Sequence, residues 1–258
     1  MRIKLEPFLG VGHPWQNDEL SIWGAPYGNT RAAFPRATIM DWQYNHLDDE
    51  LFMPMSYQIT GEHSLKALEA AKRGPERLWL VGNEPEHGDQ ANEVVWDTIP
   101  FCEKWMIHAP AWAAPGCNVA TPDGKAWLER FSQLLTPDFW HLHIHFQPDP
   151  QHFEEIWRWV ESWHSRQGMG RPIILSEVAH WGSDIESGKA LMDHLAAKVA
   201  SSSILLGAFW FSSWCLWQEW HHSNLFTQGG QLSPLGEHWK GLSDGFEPHT
   251  VYLAAVEA

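Results

Sequence analysis

Two carboxylates stand just past short apolar runs. Arg77–Gly82 (RLWLVG) leads into Asn83-Glu84-Pro85-Glu86, and Pro172–Ser176 (PIILS) leads into Glu177-Val178-Ala179-His180. A lone glutamate at a loop start is ordinarily a solvated side chain. Two of them, each ending a candidate strand and one preceded by Asn, suit a different reading. Paired carboxyl groups facing each other across a cleft can cleave a glycosidic bond. One, protonated, donates to the leaving oxygen, and the other, ionised, attacks the anomeric carbon. Mutual repulsion pushes their pKa values apart, so one proton is retained near neutral pH.

A third apolar run, Trp140–Phe146 (WHLHIHF), carries His141, His143 and His145 on one face and Leu142, Ile144 and Phe146 on the other. The apolar face suits a helix layer, which aims His143 and His145 inward. Two imidazoles at alternate positions could ligate Zn²⁺, with His108 as a third. Ligand number and order are poor for a metal-dependent hydrolase. Hydrogen bonding from His145 to Glu177 or to a sugar is the expectation, with no metal and no other cofactor required. His141 is expected to be a buried, satisfied imidazole.

The chain holds 18 Trp, 12 Phe, 4 Tyr and 16 His. Indole is large and carries an N–H that needs a partner, so some of these rings should line a groove rather than fill the core. Trp42, Tyr44, Tyr57, Trp112 and Trp181 lie just past expected strand ends and are candidate outer subsites. Trp210 is the candidate floor under the reacting sugar, because pyranose C–H faces stack on indole. Ser212–His222, with Trp214, Trp217 and Trp220, is a candidate cleft wall.

Such residues must be held by a scaffold. Eight apolar runs read as strands: Ile3–Leu9, Thr38–Trp42, Leu51–Ser56, Arg77–Gly82, Trp105–Ala109, Trp140–Phe146, Pro172–Ser176 and Leu205–Phe211. Helical stripes lie between them at Ser64–Arg73, Gly124–Leu135, Phe153–Trp163 and Ser187–Ser201. Thr121-Pro122 reads as an N-cap followed by a first-turn proline, and Gly74-Pro75 as a helix stop. No GxGxxG or GxxxxGK[ST] favours an open nucleotide-binding sheet. The pattern predicts an α/β fold, a single compact (β/α)8 TIM barrel over 1–258, with its chemistry at the C-terminal strand ends. Alternation then puts Glu177, Leu175 and Ile173 inside and turns Ser176 and Ile174 to the helices. Gly82 points inward with Glu84 and leaves space beside it.

With 17 Lys and Arg against 32 Asp and Glu, the formal charge is −15. A negative surface attracts neither a phosphate backbone nor anionic lipid, so nucleic acid and membrane are not expected partners. Cys102, Cys117 and Cys215 form no paired framework and read as small buried thiols. The N-terminus lacks a signal-peptide core, which leaves a cytoplasmic protein or a mature secreted one. The chain is expected to act as a monomer.

Asn83-Glu84-Pro85 and the later Glu177 resemble the clan A glycoside hydrolases. More closely, the chain resembles glycoside hydrolase family 128 from about Thr38 to Trp239. The similarity is carried by Asp41–Asn45, Phe52–Met55, Leu80–Pro85, Ile144–Gln147, Phe209–Phe211 and Asn224–Gly236. Gln147 departs from the family's usual Tyr, and Ser56-Tyr57 from its Leu-Trp. The resemblance implies a retaining endo-β-1,3-glucanase. Glu84 is then the acid/base, Glu177 the nucleophile and Asn83 a donor to the sugar 2-hydroxyl, with Gln147 among the substrate-binding residues. The alternatives are a catalytically silent carbohydrate-binding barrel and a β-1,4-mannanase or cellulase type of clan A enzyme.

Overall fold

The structure is a computed structural model that describes residues 6–13, 27–74, 77–214 and 222–247. Eight parallel strands close a barrel in chain order, and β1 (Phe8–His13) meets β8 (Leu205–Phe211). The others are β2 (Thr38–Asp41), β3 (Phe52–Ser56), β4 (Leu78–Val81), β5 (Ala111–Asn118), β6 (Phe139–Gln147) and β7 (Ile173–His180). Seven helices are described: α1 (Tyr27–Ala33), α2 (Gly61–Arg73), α3 (Val95–His108), α4 (Pro122–Ser132), α5 (Pro150–Gln167), α6 (Ile185–Ser201) and α7 (Pro234–Gly245). α4 begins as its sequence directs: Thr121 Oγ1 accepts from the Gly124 N–H at 3.0 Å, with Pro122 in the first turn. No described helix is long and apolar enough to cross a membrane.

Two strands differ from the sequence reading. The first expected strand, Ile3–Leu9, begins in residues outside those described, and β1 runs later, over Phe8–His13. The fifth was expected at Trp105–Ala109, yet that run is the last turn of α3. Its burial follows a helix: Val95, Thr98, Cys102 and Trp105 are inside, whereas Trp96, Met106 and Ile107 are exposed. The true β5 contains Pro115 and Gly116, which read as turn residues. The barrel accommodates them with a register shift against β6 between Pro115 and Cys117.

The apolar side chains form two layers. Met40, Met53, Met55, Leu80, Ile174 and Phe209 fill the barrel. Trp79, Val81, Trp140, Leu142, Leu175 and Trp210 face outward and pack with helix residues such as Leu68, Trp105, Trp157 and Leu195. Gly10 on β1 is required by this packing, because a Cβ there would lie 2.4 Å from the Phe209 ring. Cys102 and Cys117 are buried and unpaired, and Cys215 lies outside the described residues.

Candidate active site

Glu84 leaves β4 on a backbone that few sequences can follow. Gly82 has φ 90° and Glu84 itself φ 42°, the left-handed region that residues with a Cβ avoid. Across from them Gly116 has φ 73°, and a Cβ on it would meet the Gly82 carbonyl oxygen at 2.2 Å and His141 Cε1 at 2.6 Å. This close approach lets the Glu84 N–H donate to the Gly116 carbonyl at 3.0 Å. The space expected beside Gly82 is filled, since a Cβ there would lie 2.6 Å from Ile59 Cγ1.

Glu177 reaches the barrel by a break in alternation. Ile174 lies in the interior layer, while Ile173 and Leu175 pack on the helices, the reverse of the sequence reading. Leu142 pairs with Leu175, but the next residue, His143, pairs with Glu177. Ser176 is therefore an extra residue in β7, and the bulge inverts the phase beyond it. Ser176 also turns inside, where its hydroxyl sits 3.0 Å from His141 Nδ1.

The two carboxylates meet over the histidines of β6. His145 Nε2 lies 3.0 Å from Glu177 Oε2 and 3.6 Å from Glu84 Oε1, so one nitrogen bridges them. His143 Nδ1 is 3.7 Å from Glu84 Oε1, and its Nε2 is 3.8 Å from Glu177 Oε1. Trp42 Nε1 donates to Glu177 Oε1 at 2.7 Å. His141 sits deeper, with Nε2 3.0 Å from the Val81 carbonyl oxygen, and burial holds its pKa down to about 3. It is a satisfied, neutral core imidazole, as the sequence suggests.

Burial raises the Glu84 carboxyl, but the His143 and His145 imidazoles outweigh it and hold the pKa at about 2. Burial lowers His143, while the charges of Glu177 and Glu84 raise it further, and the net direction is up. Both directions favour an ionised Glu84 beside a cationic His143 in the free site. Because the folded value of Glu84 lies below its ordinary value of 4.5, this pairing adds stability above roughly that pH. That stability is lost as pH falls towards 2. A ¹³C-carboxyl NMR titration is expected to find one glutamate titrating near pH 2. In His143→Gln that carboxyl should titrate higher, because its largest lowering partner is gone; an unchanged midpoint would contradict the coupling.

The remaining expected site residues divide. Trp42 touches Glu177 directly. The Tyr57 hydroxyl donates to Gln90 Oε1 at 2.5 Å, and burial, then the charges of Glu177 and Glu84, raise its pKa. Asn83 Nδ2 donates to the same Gln90 oxygen at 3.2 Å, which leaves its buried Oδ1 without a protein partner among the described residues. Gln147 is buried at the end of β6 and donates to the His145 carbonyl. Trp181 is 48% exposed just past β7. Tyr44 lies instead against Trp79 and His63, away from the carboxylates.

Two tryptophans are not in the site. Trp112 is buried near the N-terminal end of β5, because that strand starts at Ala111 rather than ending at Ala109. Trp210 is fully buried in the outer layer, where Nε1 donates to the Ser223 carbonyl at 2.9 Å and the ring packs on Trp239. It cannot floor a sugar. Phe211, one residue on, takes the inward place between Trp42 and His145, with ring centroids 5.5 and 5.7 Å away. Most of the Ser212–His222 wall, with Trp217 and Trp220, lies outside the described residues. Trp214 packs against the outer core. Trp210→Ala is expected to cost about 3–5 kcal/mol of stability, the range for removing a buried large aromatic ring. Denaturant unfolding would measure it, and an unchanged midpoint would place the ring elsewhere.

Sequence reasoning missed Gln90, Phe211 and Ser176. Gln90 carries no local signal. Phe211 could have been found by taking the opposite phase on β8, and Ser176 only by locating the bulge.

Solved structures similar to this chain share the barrel. A GH128 subgroup II endo-β-1,3-glucanase from Sorangium cellulosum aligns with TM-score 0.66 and 20% identity, covering 88% of this chain and 99% of the other. A GH128 subgroup I endo-β-1,3-glucanase from Amycolatopsis mediterranei, in complex with laminaritriose, gives 0.67 and 19%, covering 92% and 99%. A GH128 subgroup VI exo-β-1,3-glucanase from Aureobasidium namibiae gives 0.68 and 19%, covering 90% and 96%. No curated protein matches the chain. The model of the family described as "Glycosyl hydrolase catalytic core" matches residues 31–239, a span that runs from α1 to α7 and holds both carboxylates. By that match, the chain belongs to the glycosyl hydrolase catalytic core family.

Proposed function

We propose that this chain is a retaining endo-β-1,3-glucanase, with Glu177 as nucleophile and Glu84 as general acid/base. The observation that carries the reading is the single His145 nitrogen in contact with both carboxylates. Groups that share one nitrogen are close. A retaining pair works at about 5–5.5 Å between carboxyl groups, whereas an inverting pair needs about 6.5–9.5 Å to admit a water.

Glu177 is oriented by the Trp42 indole N–H and by His145, so its carboxylate is held ready for attack. Glu84 begins ionised, which is the wrong state for an acid. A sugar entering the mouth displaces water and favours the neutral carboxyl. A proton carried by His143, whose Nδ1 lies 3.7 Å from Glu84 Oε1, then has a short path to Glu84. Tyr57, Asn83 and Gln90 form a polar edge for sugar hydroxyls beside the pair. Trp42 and Phe211 supply rings beside the pair, and Trp181 supplies an exposed ring just past β7. Several such rings favour binding of a chain on both sides of the cut, hence internal cleavage.

The β-1,3 linkage is supported by the sequence resemblance and by structural relatives described as β-1,3-glucanases, one of them holding laminaritriose. Product analysis on laminarin beside cellulose, mannan and xylan tests it. Ladders of short laminari-oligosaccharides are expected. Release of glucose alone would overturn the endo assignment, and activity confined to β-1,4 polymers would overturn the linkage.

A further inference from the structure

The catalytic cluster also has the dimensions of a metal cage. His143 Nδ1 and His145 Nε2 are 3.2 Å apart. Glu84 Oε1 lies 3.7 Å from the first and 3.6 Å from the second, and Glu177 Oε2 lies 3.0 Å from His145 Nε2. Zn²⁺ binds nitrogen and carboxylate oxygen at about 2.0–2.2 Å, so a tetrahedral site needs ligand separations of roughly 3.3–3.6 Å. The measured contacts straddle that range before any adjustment. Glu84, His143 and His145 each present a ligand atom to one common centre. Two imidazoles with a carboxylate suit zinc or copper rather than Mg²⁺ or Ca²⁺, which prefer all-oxygen sites. His143 is fully buried, and its other nitrogen, 3.8 Å from Glu177 Oε1, makes no hydrogen bond among the described residues.

We propose that Glu84, His143 and His145, with Glu177 at their edge, form a binding site for a zinc-class divalent ion that inhibits the enzyme. The ion occupies the Glu84 lone pair that the reaction uses, so Glu84 can neither give nor take a proton, and the ion's charge sits beside Glu177. The binding stands on the ligand geometry. The inhibition rests on the catalytic reading above.

The test is Zn²⁺ titrated into the metal-free protein against a chromophoric chelator, with laminarin hydrolysis followed in parallel. One ion per chain is expected, with no competition from Mg²⁺ or Ca²⁺. Glu84→Gln and His145→Gln should each weaken binding by more than about 10–100-fold, the scale on which loss of a ligand's orienting partner alone lowers affinity. Hydrolysis should fall with the same half-saturation and return with EDTA. Zn²⁺ should also raise the melting temperature of the wild type but not of Glu84→Gln, which separates site loss from misfolding. Chelator competition reads binding whether or not laminarin is cut, so failure of the glucanase reading is distinguishable. No stoichiometric binding, or binding untouched by both variants, overturns the site. Binding without loss of hydrolysis, or activation by zinc, overturns the inhibition.

Discussion

Glu177→Gln is expected to lower kcat on laminarin by on the order of 10⁴–10⁶-fold, the scale for removing a covalent nucleophile. The amide cannot form the glycosyl–enzyme bond. The substitution is nearly isosteric, and its carbonyl oxygen can still accept from Trp42 Nε1, which now donates to Glu177 Oε1 at 2.7 Å. The variant should therefore fold and still bind laminari-oligosaccharides. The measurement is steady-state hydrolysis with a parallel calorimetric titration of an oligosaccharide. Loss of activity accompanied by loss of folding would carry no catalytic meaning, so the melting curve is recorded as well. Retention of more than about a tenth of the activity would remove Glu177 from the mechanism, since this is far below the loss expected for a nucleophile.

Glu84→Gln is expected to split by substrate. On laminarin, whose leaving alcohol needs a proton, the loss should be about 10²–10⁴-fold, the usual contribution of general acid–base catalysis. On an aryl laminaribioside with a strongly acidic phenol, the first step needs no acid and should be nearly preserved. The second step still lacks its base, so a glycosyl–enzyme should accumulate. Added azide, which attacks without deprotonation, should restore turnover and yield a glycosyl azide. Equal losses on both substrates, with no azide rescue, would show that Glu84 does not act as the acid/base. The left-handed backbone at Glu84 (φ 42°) is no harder for Gln than for Glu, so the comparison is chemical rather than conformational.

The pairing of Glu84 and Glu177 in one place was legible because each glutamate follows an apolar parallel strand, and barrel topology turns such ends into one mouth. The β6 imidazole face was legible for a simpler reason: His141, His143 and His145 alternate cleanly with Leu142 and Ile144, and all three are buried inside as that alternation requires. What failed was phase. On β7 the bulge at Ser176 inverted the faces without any residue type that marks a bulge. On β8, Phe209-Trp210-Phe211 is apolar on both faces, so sequence alone gave no reason to prefer one side. Trp112 failed with its strand. Trp105–Ala109 is apolar enough to mimic a strand but belongs to α3, whereas the real β5 carries Pro115 and Gly116 in its middle. Gln90 reaches Asn83 and Tyr57 only because the segment after β4 folds back on itself, a tertiary fact with no local signature.

The most direct test of the two-carboxylate account is to trap the intermediate. A 2-deoxy-2-fluoro laminaribiosyl donor with a good leaving group slows both steps, the second more, and mass spectrometry of the digested protein then locates the adduct. The account predicts one sugar per chain, bonded through an ester to Glu177, and none in Glu177→Gln. An adduct on another residue, or turnover of the donor to the inverted anomer with no adduct, would contradict it.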